Sequence, residues 1–305
     1  MAWDFGNIDE KLLLEFLESR RRNFDNLGIP GNGFSYMKVG SNQDITKEFL
    51  EQDSFLRKIF LERVIEEAPE LADSNMRLEF INYGDTQMVY VLTANGKKWS
   101  VLVTQPSQKV GIGNDEFNNL RQLSDIESDV VVKPEYYFTD GKHELYVSPY
   151  IYQARCVASQ DMGYGIYIPE PYYRFEPFFR KDEDVVNTCM IANLIRLYDD
   201  EKKLGIGACK IGGGDFILDK SWDSSDRSIT TTLDKMKLIA ARELIPMSLE
   251  DYEQQLLIEF SERTYYRDYS ERDPSILINH KNRIPMKIEV IGEGIELGRQ
   301  LRKER

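Results

Sequence analysis

Apolar residues recur at helical intervals in two stretches of the first 76 residues. The stripe of the first stretch, Ile8 to Asn23, is formed by Leu12, Leu13, Phe16 and Leu17. The second stretch runs from Thr46 to Glu67 with similar spacing, and Pro69 follows it. Amphipathic helices show apolar side chains three and four residues apart, and proline ends helices. Segment 1–76 is therefore predicted to be a helical N-terminal extension.

The pattern changes to short β-branched and aromatic runs between residues 77 and 150. The predicted strands are Leu78–Asn82, Gln87–Thr93, Trp99–Val103, Val130–Phe138 and Glu144–Ser148. Asn95-Gly96 indicates a hairpin turn, because this dipeptide tolerates the positive φ angles of such turns. Helical spacing from Asn114 to Leu123 separates the third strand from the fourth. The order predicts a small lobe in which a helix packs on an antiparallel sheet of about five strands.

Helical spacing dominates the pattern after residue 150. The predicted helices are Val185–Lys203, which Gly205 would end, Asp234–Leu244, and Leu249–Arg263 with Ser248 as its cap. Phe216–Leu218 is a short apolar run, and Tyr164–Phe179 is predicted to be an irregular aromatic loop. Residues 151–305 are therefore predicted to form a mainly helical lobe, and the fold class is α+β.

Composition and charge narrow the classes of function. The chain has 305 residues, a net charge of −13 and a pI near 4.9. An acidic protein repels phosphate backbones and anionic lipid surfaces, so neither a nucleic acid nor a membrane is an expected partner. No apolar stretch reaches the length of a bilayer span, and the first ten residues lack a signal-peptide pattern, so a cytoplasmic protein is expected. Three cysteines and two histidines fit neither a disulfide framework nor a zinc site.

The order of elements in Leu78–Tyr150 resembles the smaller lobe of protein kinases and of the small-molecule kinases related to them. The run 81–90, INYGDTQMVY, is similar to the glycine-rich hairpin that covers nucleotide phosphates, and Gly84 is the matching glycine. Glu116 stands where the family's helix carries its ion-pairing glutamate. Pro149, Tyr150 and Ile151 stand at the hinge, where backbone groups would meet an adenine ring.

The likeness continues into the second half of the chain. Val185–Lys203, Gly212–Leu218 and Leu233-Asp234 resemble the long helix, the catalytic loop and the metal-binding segment of the larger kinase lobe. The resemblance implies ATP and Mg²⁺ as ligands, held in a cleft between the lobes. It also implies that Asp215 is the catalytic residue and that Asp215 and Asp234 bind the metal.

Several kinase residues are missing. The lysine that grips the phosphates would fall near Thr104. If Asp215 replaces the loop asparagine, Lys210 stands at the position of the general base; if Asp215 is the base, no asparagine follows it. Phosphoryl transfer depends on positioning and on charge neutralisation by lysine and metal, so these losses argue against an active kinase.

Ordinary structural roles explain the same residues. Asp215 could be a turn residue after the three glycines 212–214, and Asp234 could cap the helix predicted after it. Gly111-Ile112-Gly113 could present a helix N-terminus to an anion, although Asn114 or Asp115 is itself a good cap. The aromatic residues of 164–179 could form a ligand wall, a partner surface or loop packing.

Three hypotheses follow. The first is a degenerate kinase-like protein that acts as a binding or regulatory module for a protein partner or a small-molecule ligand, with weak nucleotide binding retained. The alternative is an atypical Mg²⁺-dependent small-molecule phosphotransferase that uses Asp215 and Asp234. The third is an interaction protein whose likeness to kinases is accidental.

Overall fold

The computed structural model describes residue 59 and residues 63–71, 77–83, 87–104, 110–151, 155–160, 163–168, 174–177, 180–207, 215–219, 221–222, 225–262 and 286–304. These residues belong to two compact units. The first unit comprises segments 1–117 and 134–150, and the second comprises segments 118–133 and 151–305. The predicted helix at Ile8–Asn23 and most of the one at Thr46–Glu67 lie outside the described residues.

The first unit is built on a five-stranded antiparallel sheet. Its elements are α1 (Val64–Glu67), a 3-10 turn (Pro69–Leu71), β1 (Arg77–Tyr83), β2 (Gln87–Ala94), β3 (Lys97–Thr104), the start of α2 (Ile112–Ile126), β4 (Tyr136–Thr139) and β5 (Glu144–Pro149). The strand order is β1-β2-β3-β5-β4, and every neighbouring pair is antiparallel. The predicted antiparallel sheet is confirmed, and the boundary between the two units falls inside α2.

Turn chemistry sets the register of the first hairpin. Asn95 and Gly96 have φ angles of 50° and 73°, and Ala94 pairs with Lys97. This is the two-residue turn predicted from the Asn-Gly pair. The β4–β5 loop is longer, because its closing pair is Thr139 with Glu144.

One strand prediction in this region is wrong in part. Of the predicted strand Val130–Phe138, only Tyr136 onward is part of the sheet. Val131 instead makes an isolated bridge with Leu238, and both residues belong to the second unit. A run of β-branched residues favours an extended backbone, but it does not determine the partner strand.

Both faces of the sheet are covered. The ring of Phe117 on α2 lies 5.5 Å from that of Tyr137 and 6.4 Å from that of Tyr146, on one face. Phe138 points to the other face, because side chains alternate along a strand, and the Arg63 guanidinium lies 5.4 Å from its ring centre. Arg63 also donates to the Thr139 carbonyl at 2.7 Å. The segment 63–71, with its buried apolar residues, therefore belongs to the core of this unit.

The second unit combines helices with seven strands among its described residues. Its elements, after the end of α2, are β6 (Arg155–Gln160), β7 (Gly163–Ile168), β8 (Arg174–Pro177), α3 (Arg180–Arg196), β9 (Leu204–Ile206), β10 (Phe216–Leu218), α4 (Ile229–Lys235), β11 (Met236–Leu238), β12 (Leu244–Pro246), α5 (Leu249–Glu262) and α6 (Ile288–Lys303). A five-stranded sheet has the order β11-β10-β6-β7-β8, and β12 pairs with β9. The chain is thus of mixed α+β class, with more strand in this half than the sequence predicted.

Three predictions for this half need correction. The segment Tyr164–Phe179 contains β7 and β8 and is not simply an irregular loop. The helix predicted at Asp234–Leu244 is absent: α4 ends at Lys235, and β11 and β12 follow. The long helix ends at Arg196, and Gly205 lies inside β9. By contrast, the Ser248 cap is confirmed, since Ser248 Oγ accepts from the Asp251 amide at 3.1 Å.

Glycines allow α6 to approach α3 closely. A Cβ atom at Gly294 would lie 2.8 Å from the Thr188 carbonyl oxygen, and one at Gly298 would lie 2.8 Å from that of Ala192. Lys287, just before α6, pairs with Asp184 at 2.6 Å. The last helix is therefore an integral part of the second unit. Within the ranges that the structure describes, no helix has the length and apolar character needed to cross a membrane.

Candidate functional site

A buried polar pair joins α2 to the sheet of the first unit. Glu116 is 1% exposed and Gln87, on β2, is 8% exposed. The side-chain amide of Gln87 donates to the Glu116 carboxylate and, at 3.4 Å, to the Tyr146 hydroxyl. Buried carboxylates need hydrogen-bond donors to offset their lost hydration. One partner of Glu116 is the neutral amide of Gln87, which the sequence did not single out.

Thr104 lies beside this pair. It is 5% exposed and stands directly opposite Gln87 in the β2–β3 register. A Cβ atom on Gly113 would lie 2.5 Å from the Thr104 hydroxyl oxygen, so the first turn of α2 contacts this end of β3. The structure thus brings together two of the residues predicted for ligand binding, Thr104 and Glu116, and adds Gln87 between them.

A second buried carboxylate lies at the start of α2. Glu144, the first residue of β5, is 3% exposed. It accepts hydrogen bonds from the amides of Gly111 and Gly113 at 3.0 and 3.1 Å, and from the Tyr137 hydroxyl at 2.7 Å. Burial, together with the hydrogen bond to Glu144, raises the pKa of Tyr137 above its ordinary value of 10.0. The sequence left open whether the glycine pair faces an anion or Asn114 or Asp115 caps the helix, and in the structure both glycine amides donate to the carboxylate of Glu144.

The predicted hinge residues occupy the end of β5. Pro149 is its last residue and is exposed, and Tyr150 and Ile151 are half-buried. The Tyr150 amide donates weakly to the Lys98 carbonyl at 3.4 Å, and the Lys98 ammonium lies 5.5 Å from the Tyr150 ring centre. Gly84, the remaining residue predicted for nucleotide binding, lies outside the described residues.

The structure does not bring the two predicted metal ligands together. Asp215 directly precedes β10, and its carbonyl accepts from the Ile239 amide at 2.8 Å. Asp234 lies in the last turn of α4, before β11. Because β10 and β11 are antiparallel, with Phe216 opposite Leu238, the two aspartates lie at opposite ends of this hairpin.

Strand geometry gives the scale of their separation. At least three paired positions lie between the two aspartates, so more than about 10 Å of strand separates them. One Mg²⁺ ion holds its oxygen ligands at about 2 Å, so this spacing does not suit a shared ion. Across the described part of the chain, no group of three or more histidine, cysteine, aspartate and glutamate side chains is placed to hold a metal.

Asp234 also has a partner of its own. Its side chain is 65% exposed and pairs with Lys235 at 2.7 Å, and this hydrogen bond lowers the pKa of Asp234 below its usual range. It lies at the end of a helix and does not cap the start of one. Lys210, the glycines 212–214 and the aromatic side chains of 164–179 lie outside what the structure describes.

Cys189 is the one cysteine whose side chain the structure describes. It is buried and free, and burial raises the pKa of its thiol to about 12. A buried thiol with a raised pKa stays protonated near neutral pH, so Cys189 lacks the thiolate that a nucleophilic cysteine needs.

Neither a protein-family model nor a curated protein sequence matches this chain. The buried cluster of Gln87, Thr104, Glu116 and Glu144 is therefore the best candidate for a functional site among the described residues.

Proposed function

We propose that this chain is a degenerate kinase-like protein that acts by binding, as a regulatory or scaffolding module, and does not transfer phosphate. The order of elements in the first unit supports the likeness: three strands, a helix and two further strands. This is the order that the resemblance implies for the smaller kinase lobe.

The contact between Gln87 and Glu116 carries the proposal. The resemblance places a phosphate-gripping lysine near Thr104, with Glu116 as its ionic partner. The side chain at 104 is a neutral hydroxyl, and the neighbouring strand supplies Gln87, whose neutral amide donates to Glu116. An amide can hold the carboxylate in place, but it adds no positive charge to offset a triphosphate. Transfer of a phosphoryl group requires that charge to be offset.

The alternative, an Mg²⁺-dependent phosphotransferase, gains no support from the positions of its residues. Its two metal ligands lie at opposite ends of the β10–β11 hairpin. Residual nucleotide binding would then depend on Mg²⁺ brought in by the nucleotide, because the protein carries a net charge of −13.

A turnover assay tests the absence of catalysis. The protein is incubated with Mg-ATP and a panel of hydroxyl acceptors, and we expect no turnover above the protein-free background. The opposite result is turnover in the ordinary enzyme range, about 1–10³ per second. If Asp215→Ala abolished that turnover and the control Glu201→Ala, at an exposed site, left it intact, the phosphotransferase would replace this proposal.

A thermal-shift titration tests the binding half. A ligand at about 100 times its Kd stabilises a protein by roughly 2.7 kcal/mol, so even weak Mg-ATP binding should appear at millimolar concentration. We expect a small stabilisation that EDTA removes. Stabilisation by ATP of equal size without Mg²⁺ would contradict the argument from charge, and no stabilisation at all would restrict the module to protein or uncharged ligands.

A further inference from the structure

The start of α2 has the features of an anion-binding position, but its occupant comes from the chain itself. The helix has 15 residues, and its first N–H groups have no partners within the helix. Two of the N–H groups at this terminus, those of Gly111 and Gly113, are taken by one oxygen of Glu144. The positive end of the helix dipole also favours a negative charge here.

The surroundings of Glu144 fit one carboxylate closely. Its other oxygen accepts from the Tyr137 hydroxyl at 2.7 Å, so both oxygens are engaged. Gly113 has no side chain, and a Cβ atom there would lie 3.1 Å from the Glu144 Cβ and 2.5 Å from the Thr104 hydroxyl. Gly111 has a φ of 102°, a backbone conformation that suits glycine. The two glycines thus allow the approach of the carboxylate to the helix.

We propose that Glu144 is a built-in anion that closes the start of α2 to phosphate, carboxylate and other external anions. The contact is made within the chain: the Gly111 and Gly113 amides, which an external anion would use, donate to a residue of β5. The same contact fixes the first turn of α2 three residues before Glu116, and so positions Glu116 against Gln87. This inference does not depend on nucleotide binding, because it concerns any small anion.

Glycine-selective ¹⁵N NMR of the full chain tests the inference at the two amides concerned. In the wild type, inorganic phosphate, formate or acetate at constant ionic strength should leave the Gly111 and Gly113 resonances in place. In Glu144→Ala, both resonances should move relative to the wild type. Formate or acetate should then return them toward their original positions in a saturable manner.

Two further variants make the result decisive. Glu135→Ala removes an exposed glutamate of the same unit and should leave both resonances and their response to formate unchanged. Glu144→Gln keeps the size of the side chain but loses its charge, so it serves where Glu144→Ala does not fold. In Glu144→Gln, the backbone amide protons of Gly111 and Gly113 should shift upfield, because their acceptor has become neutral.

Three results would overturn the inference. One is a phosphate- or formate-dependent shift of these resonances in the wild type, which would show an open site. Another is unchanged resonances in both Glu144 variants, which would show that Glu144 is not their acceptor. The last is a folded Glu144→Ala protein whose resonances ignore small carboxylates.

Discussion

The side-chain amide of Gln87 donates a hydrogen bond to the carboxylate of Glu116, although 29 residues separate them in the chain. Both residues are buried in the first unit. The bond connects the first residue of β2 to the second turn of α2. It places a neutral donor where the kinase resemblance implies a cation.

Replacing Gln87 by leucine should destabilise the protein by about 1–3 kcal/mol, since a hydrogen bond to a buried charged group is lost. Urea denaturation measures this difference. Thr93→Val, at a half-buried position of the same strand, is the matched control and should change stability by less. Equal effects of the two substitutions would mean that the bond to Glu116 contributes little.

Two glycines of α6 should respond to alanine in opposite directions. At Gly294 a Cβ atom would lie 2.8 Å from the Thr188 carbonyl oxygen and 2.7 Å from the Ile191 Cβ, so Gly294→Ala should cost about 1–3 kcal/mol. At Gly292, two residues away, a Cβ atom meets nothing within 4 Å. Gly292→Ala should therefore stabilise the protein by about 0.5–1 kcal/mol through the helix preference of alanine. Thermal unfolding of the two variants checks both signs, and a loss of stability in both would show that α6 tolerates no change at either position.

The buried hydrogen bond from the Trp222 indole to the Thr232 hydroxyl, 2.9 Å long, should stabilise the second unit. Thr232→Val keeps the shape of the side chain but removes the acceptor, so it should cost about 1–3 kcal/mol. Thr230→Val, on the exposed side of the same helix, supplies the control and should be close to neutral. Tryptophan fluorescence during urea denaturation reports both values. If the two variants unfold at the same urea concentration, the contribution of this bond is negligible.

Tyr137 should make stability fall at alkaline pH. Burial and the bond to Glu144 raise its pKa in the folded protein, so the folded state favours the protonated phenol. The contribution of Tyr137 to the free energy of unfolding is fully present below pH 10.0, the pKa of tyrosine in the unfolded chain. It is lost as the pH rises above that pKa, because Tyr137 ionises first in the unfolded chain. The gap in unfolding free energy between the wild type and Tyr137→Phe should therefore be constant from about pH 7 to 9 and shrink above about pH 10. Urea titrations across this range measure the gap, and a gap that widens with pH would contradict the assignment.

Local pattern predicted the first unit better than the second. Strand β1 alternates apolar and polar residues, and an Asn-Gly turn of known geometry joins β2 to β3, so their register follows from neighbouring residues. In the second unit several strand pairs join segments that are distant in sequence, as with Ile217 and Cys156. Three prolines at 169, 171 and 177 also obscured β7 and β8.

Tertiary pairing overrides helix preference after Asp234. Residues 234–244 contain lysine, leucine, alanine and methionine, which favour helix. However, Met236–Leu238 pair with Phe216–Leu218, and the Leu238 amide donates to the Val130 carbonyl at 2.7 Å. These contacts come from segments at least 18 residues away, so no local pattern could reveal them.

The candidate site was predicted in part. Thr104 and Glu116 were chosen through the resemblance, and they lie near each other. Gln87 and Glu144 were read only as strand residues, because a single sequence does not show which strand residues meet a helix. The available signal was a glutamate directly before the apolar run Leu145–Val147, together with a Gly-x-Gly sequence at the start of a helix.

The discontinuous make-up of the two units has a consequence for synthesis on the ribosome. The first unit is complete only when residue 150 has been made, although its α1 is finished some 80 residues earlier. Segment 118–133 emerges before residue 150, yet its partners come much later in the chain. Asn119 donates to the Ala241 carbonyl, Gln122 donates to Asp199, and Val131 forms a β-bridge with Leu238. The nascent chain must therefore carry Gln122 for 77 residues of elongation before its partner Asp199 is made. A single cut of the chain cannot separate the two units, and segment 118–133 of the second unit stays incomplete until the later residues of that unit have been made.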